Sequence, residues 1–215
     1  MCDSKKTNAS LESQTFFTKW ASRSLILLLL IAASAWLDRI KDRWYVFDPA
    51  ELNVLAQAAI TSSPNDTAGM IQHIVTNLTS TYPANHVKIN VNASDITEYL
   101  SIFGTPLGTE GHTGMHPADD DFNILVGEQW AFSPGQLEME QYTPDMVHYL
   151  PRGAAKQYKM HEGCFALEYA RGWIPLMMPF GFVDTFTSTL DFVMLYRTIK
   201  VTLREMSRNL FVGKI

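Results

Sequence analysis

Phe165-Ala166-Leu167-Glu168-Tyr169-Ala170-Arg171-Gly172-Trp173-Ile174-Pro175 is the stretch on which the fold turns. Read as a strand, it puts Ala166, Glu168 and Ala170 on one face and Phe165, Leu167 and Tyr169 on the other. The run is too apolar to carry a casual surface carboxylate. A glutamate between two small residues, on the inner face of a small barrel, leaves room for a ligand beside it. Burial raises such a group's pKa, and a neighbouring cation or hydrogen bonds hold it down. Two plainer readings stand beside this one: a structural carboxylate paired with Arg171, or one exposed on an edge strand.

Working outward, short β-rich runs cover residues 87–91, 98–103, 122–126, 146–150 and 156–160, with 165–170 as the last. Gly, Pro or acidic turn signals separate them, the habit of a sandwich or small barrel. Upstream, Asp48-Pro49-Ala50-Glu51 predicts a helix start with Asp48 as N-cap and Pro49 at the first helical position. That helix runs to about residue 60, and a second fits residues 68–79 with Ile71, Ile74, Val75 and Leu78 on one face. Downstream, residues 173–183 are almost wholly apolar, yet Pro175, Pro179 and Gly181 argue against a simple spanning helix. Residues 184–190 read as helical, and Asp191 as the cap of a last helix. On it Phe192, Leu195, Tyr196, Ile199, Leu203, Met206 and Leu210 share a face, opposed by Arg197, Lys200, Arg204 and Arg208. A basic amphipathic helix beside an apolar segment reads as membrane-surface contact. Packing on the barrel is the other reading, and both can hold together.

The remaining apolar content is concentrated between Ser24 and Leu37, fourteen residues without a charge. Trp20 and Trp44 can sit at membrane interfaces, Lys19 and Arg23 can snorkel, and the charges from Asp38 to Arg43 mark a stop. A retained membrane anchor is the favoured reading. Its rivals are a cleaved signal peptide, since Ala33-Ser34-Ala35 resembles a cleavage site, and a buried core helix. Over 215 residues the charged fraction is 18% and the net charge −5, with no basic block, so nucleic-acid binding is excluded as a starting point. Two cysteines, Cys2 and Cys164, make neither a disulfide framework nor a Cys-rich zinc site.

Beyond Glu168, the acidic triplet Asp119-Asp120-Asp121 stands just before the run 122–126. Three adjacent acids are commonly a solvated turn. However, two carboxyls from different strands facing one cavity can give and take a proton, if their surroundings separate their pKa values. His112-x3-His116 with the aspartates offers a weaker alternative, a two-histidine, one-carboxylate metal site. The glycines at 104, 108, 111 and 114 lack phosphate-loop spacing and read as turns. There is no nucleophile elbow, and His73, His86 and His161 read as ordinary surface or core residues.

Taken together, several blocks resemble the fungal C-8 sterol isomerases. They are residues 99–114, Ala118-Asp-Asp with Phe122 and Ile124-Leu125, Ala155-Lys-Gln-Tyr158, Phe165-Ala-Leu-Glu168, Gly172-Trp-Ile-Pro175, Pro179-Phe-Gly-Phe182 and residues 184–191. More loosely, the same blocks resemble the sigma non-opioid intracellular receptor of animals. The resemblance implies an α+β protein. A transmembrane helix comes first, then a cupin-like β-barrel flanked by helices, then two membrane-adjacent C-terminal helices. With it the chain divides into a tail (1–23), an anchor and its flank (24–43), a helical connector (44–80), the barrel (81–172) and the C-terminal helices (173–215).

The implied activity moves a sterol double bond from Δ8 to Δ7, with no metal or redox cofactor, in the endoplasmic reticulum membrane. Protonation at C9 leaves a tertiary cation at C8, and loss of a proton from C7 completes the shift. Glu168 matches the family's ligand-contacting glutamate. Tyr99 and Phe103 match aromatic pocket positions, and Met177 a lining position on the first C-terminal helix. The second acid falls on Asp120 or Asp119: without a gap, the receptor's acid would align with Phe122. By strand parity Asp120 shares the face of Phe122, while Asp119 matches an acidic position in the receptor. The implied partners are a sterol substrate, membrane lipid, inhibitory cationic amphiphilic amines and, from the receptor branch, two further copies in a homotrimer. The alternative function is that of a non-catalytic receptor binding amphiphilic cations and sterols. The sequons at Asn65, Asn77 and Asn92 follow the anchor, and with them we expect a luminal barrel; Asn8 carries the sequon before it.

Overall fold

In the computed structural model the backbone of residues 3–83 and 96–211 is described, with side chains from residue 18 onward in those ranges. The expected strand at 87–91, His86, Cys2 and the sequon at Asn92 lie outside the described residues. The chain forms two units, Met1–Arg43 and Trp44–Ile215.

In the first unit, α1 (Asp3–Ile40) is one continuous helix. Residues 18–44 are long and apolar enough to cross a membrane. At ~1.5 Å per residue the helical stretch exceeds the ~30 Å of a hydrocarbon core, and its leucines are bare, Leu28 being 63% exposed. Two of its hydroxyls bond back to the helix: Ser22 Oγ donates to Thr18 O (2.8 Å) and Ser34 Oγ to Ile31 O (2.9 Å). Lys41 closes the end, its ammonium 3.2 Å from the Asp38 carboxylate and 3.0 Å from the Asp38 carbonyl.

In the second unit, α2 (Pro49–Ser62) starts where the cap signal lies, with Asp48 Oδ1 accepting from Ala50 N at 2.7 Å. After a short break comes α3 (Thr67–Thr81). Both helices bury one stripe, including Leu52, Leu55, Ala59, Met70, Ile74 and Leu78, against Leu125, Leu167 and Tyr169. Those last three point outward from a sheet whose strands are β1 (Glu98–Thr105), β3 (Ala118–Val126), β6 (Val147–Leu150) and β8 (Cys164–Gly172), in the order β1-β8-β3-β6. A second sheet holds β2 (Thr109–His112), β4 (Gln129–Phe132), β5 (Glu140–Tyr142) and β7 (Gln157–Met160), in the order β2-β7-β4-β5. All pairings are antiparallel. Phe122, Ile124, Met160, Cys164 and Ala166 fill the space between the sheets.

Among the described residues no ladder joins the two sheets, so the expected barrel is an open pair of facing sheets. The edge strands β5 and β6 are three and four residues long, so they offer few backbone groups for a ladder between the sheets. A second correction concerns the aspartates. They do not precede the strand; β3 begins at Ala118 and takes all three in, because β8 beside it is nine residues long and pairs as far as Gly172 with Ala118.

After β8, a 3-10 turn (Ile174–Leu176) leads to α4 (Met178–Asp184), a π-helical turn (Thr185–Thr189) and α5 (Phe192–Phe211). Leu190 adopts a left-handed conformation at the joint, and Asp191 Oδ1 accepts from Met194 N at 2.9 Å. α5 is docked by Thr202, Glu205 and Met206, the last against Ala118, Ala170 and Ile174. Phe192, Val193, Tyr196, Leu203 and Leu210 remain exposed, so the helix packs on the sheet and still presents an apolar side.

Candidate active site

Strand register assembles the site. Across the first sheet, Tyr99, Ala170, Asp120 and Leu150 form one row, and Ser101, Glu168, Phe122 and His148 form the next. Side chains in these rows share the inner face, since alternate residues point the same way. Glu168 and Asp120 are therefore diagonal neighbours on adjacent strands, and Ala170, opposite Asp120, is too small to separate them. Glu168, Asp120, Tyr99, Phe103 and Met177 all line a cavity of about 180 Å³ between the sheets. Asp119 does not. It points to the other face, where Oδ1 accepts from Tyr149 OH (2.8 Å) and Arg152 N (2.9 Å). Asp121 lies 3.5 Å from Arg171, so Arg171 is not the partner of Glu168.

The partners of Glu168 are hydroxyls. Tyr99 OH donates to Oε1, and Ser101 Oγ donates to Oε2 at 2.9 Å. Burial raises its pKa, and these two hydrogen bonds oppose the rise. Asp120 is pushed well above the ordinary carboxyl range, first by burial, then by the charges of Glu168 and Asp121, against one lowering backbone hydrogen bond. Its Oδ1 is buried with no hydrogen-bond partner among the described residues. The Tyr99 phenol is likewise driven up, by burial and by the two acids, so it stays a donor.

Further lining residues escaped the sequence reading. Ser101 was within reach, since Tyr99, Ser101 and Phe103 follow the period of two along β1. His148 and Gln129 come from elements whose functional content has no local signal. His148 Nδ1 lies 2.9 Å from Gln129 Oε1, and its ring stacks on Phe122 (5.7 Å, 27°) and Tyr142 (4.5 Å, 22°). Burial, aided by Lys156, lowers its pKa to about 4, so the ring is neutral. His112 and His116 also line the cavity, but their rings serve the loop before β3: His112 Nδ1 accepts from Gly114 N (3.0 Å) and His116 Nε2 donates to Thr113 O. Among the described residues no three His, Cys, Asp or Glu side chains gather to hold a metal ion.

A family model described as ERG2 and Sigma1 receptor like protein matches residues 24–214. C-8 sterol isomerase erg2 of Aspergillus fumigatus is 49% identical over 91% of this chain and 89% of its own length. The C-8 sterol isomerase of Pyricularia oryzae is 48% identical over 88% of this chain and 94% of its own. Sigma non-opioid intracellular receptor 1 of Xenopus tropicalis is 30% identical over 83% of this chain and 90% of its own. A solved Schizosaccharomyces pombe Cnp3 cupin domain superposes with a TM-score of 0.32 at 18% identity, over 37% of this chain and 55% of that one.

Proposed function

The chain belongs to the family of ERG2 and Sigma1 receptor like proteins, and from that premise we propose that it is a C-8 sterol isomerase with Asp120 as acid and Glu168 as base. The observation that carries the assignment is the unequal hydrogen bonding of two buried, diagonal carboxyls. Both oxygens of Glu168 receive a hydroxyl, while Asp120 Oδ1 has no partner among the described residues. Two carboxyls out of water and this near do not both ionise, so one proton rests on the less solvated partner, Asp120.

Asp120 gives that proton to C9 of the Δ8 alkene; the π pair forms the C9–H bond and leaves a tertiary cation at C8. The Glu168 carboxylate removes a proton from C7, and the C–H pair becomes the Δ7 bond. The cation between the steps is held by the Glu168 charge and by the ring faces of Tyr99, Phe103 and Phe122. A proton passing from Glu168 back to Asp120 resets the pair. A protonated amphiphilic amine imitates the cation and inhibits by binding beside Glu168.

In the same proposal α1 spans the endoplasmic reticulum membrane, the second unit is luminal, and the exposed apolar residues of α4 and α5 lie against lipid. Assembly as a homotrimer is carried over from the receptor branch.

The test is sterol analysis of cells lacking Δ8–Δ7 isomerase and expressing this chain. Wild type accumulates Δ7 sterols, and Glu168→Gln or Asp120→Asn lowers conversion by roughly 10²–10⁴-fold, the weight of a positioned acid or base. Persistent Δ8 sterols beside well-expressed wild type would instead favour a non-catalytic receptor.

A further inference from the structure

His148 stands in the cavity wall with a protein ring stacked on each face, while one of its nitrogens has no partner among the described residues. His116 Nδ1 is also unpartnered there, but that ring meets Phe180 edge-on and serves the loop before β3. His148 is 0% exposed. Gln129 Oε1 takes the Nδ1 hydrogen, so Nε2 carries a lone pair, and that atom is buried with no hydrogen-bond partner among the described residues. Phe122 and Tyr142 hold the plane of the ring. A buried acceptor without a donor is a standing cost that a ligand hydroxyl removes.

A sterol carries an alcohol on C3, in the ring fused to the one that contains C7, C8 and C9. His148 and Glu168 stand in one row of the sheet with only Phe122 between them. Two strand spacings of ~4.8 Å separate their backbones, the scale of one ring and a hydrogen bond at either end. We infer that His148 Nε2 accepts the hydrogen bond of the substrate's 3-hydroxyl, with ring A lying over Phe122 and the ring bearing C7 and C9 delivered to Glu168 and Asp120. The inference rests on the isomerase reading above and adds a rule of selectivity. A neutral imidazole in this tautomer accepts and does not donate, so a 3-ketone, which cannot donate, is disfavoured. Neutrality also keeps a second positive charge away from the carbocation.

The test compares a Δ8 3-hydroxysterol with its 3-keto analogue on the full-length protein in detergent. Wild type prefers the alcohol by at least ~10-fold in kcat/KM, as a site built around a substrate hydroxyl does. His148→Phe loses that preference, read as the ratio of kcat/KM for the two sterols. His148→Gln, which keeps an acceptor, retains part of the preference and covers the case of a misfolded Phe variant. Equal use of both sterols by wild type, or an unchanged preference in His148→Phe, overturns the inference and leaves the isomerase reading standing. Wild type that converts neither sterol overturns the isomerase reading, and the inference falls with it.

Discussion

At the scale of single residues, Asp120 works against the fold it belongs to. A carboxyl whose pKa is raised by folding binds its proton more tightly in the native state, so stability falls as pH climbs from the unfolded carboxyl range towards the folded value. Asp120→Asn removes that loss. The variant is expected to be inactive yet to melt higher than wild type near neutral pH, by roughly 2–4 °C for each kcal/mol recovered. The gap should close near pH 4, where the unfolded carboxyl also holds its proton; thermal unfolding at several pH values measures it. A gap that is absent at neutral pH, or that grows on acidification, counts against the raised pKa. Glu168→Gln should show less gain, because the hydroxyls of Tyr99 and Ser101 lose a charged acceptor. In the wild type, activity versus pH should be bell-shaped, with both limbs above the ordinary carboxyl range. They belong to the pair rather than to either acid.

At the scale of elements, β1 and β8 approach so closely at Gly104 that the Phe165 ring occupies the place of a side chain, 2.2 Å from where a Cβ would stand. Gly104→Ala forces that ring aside. It should lower stability by about 1–3 kcal/mol, the usual range for an overpacked site, read as a fall in Tm. An unchanged Tm would mean that the ring moves freely. The elements differ in how far their residues announced them. The Asp48-Pro49 cap marked the start of α2, and its end was read to within two residues, since a cap is a local signal. The alternation around Glu168 likewise told its two faces apart. By contrast, β2 is exposed throughout and carries Gly111, so it shows no alternation, and it exists because β7 pairs with it. The choice of Asp120 over Asp119 needed the parity of β3, which was legible. Its unpartnered oxygen was not, because that depends on what two neighbouring strands leave undone.

For the whole molecule, the prediction concerns topology. If the second unit is luminal, protease added to intact microsomes should spare residues beyond 44 until detergent is added. Digestion without detergent would reverse the orientation. Exposed apolar side chains gather in two places: along α1, where the leucines are bare, and on α4 and α5. On α4, Phe180 lines the cavity and yet is 46% exposed. The wall of the reaction chamber is thus also part of the outer, apolar surface. If lipid lies against that surface, as proposed, the chamber samples the bilayer and not the aqueous phase. Its substrate is then counted per lipid molecule rather than per litre, and spreading the same sterol through more membrane starves the enzyme without removing any.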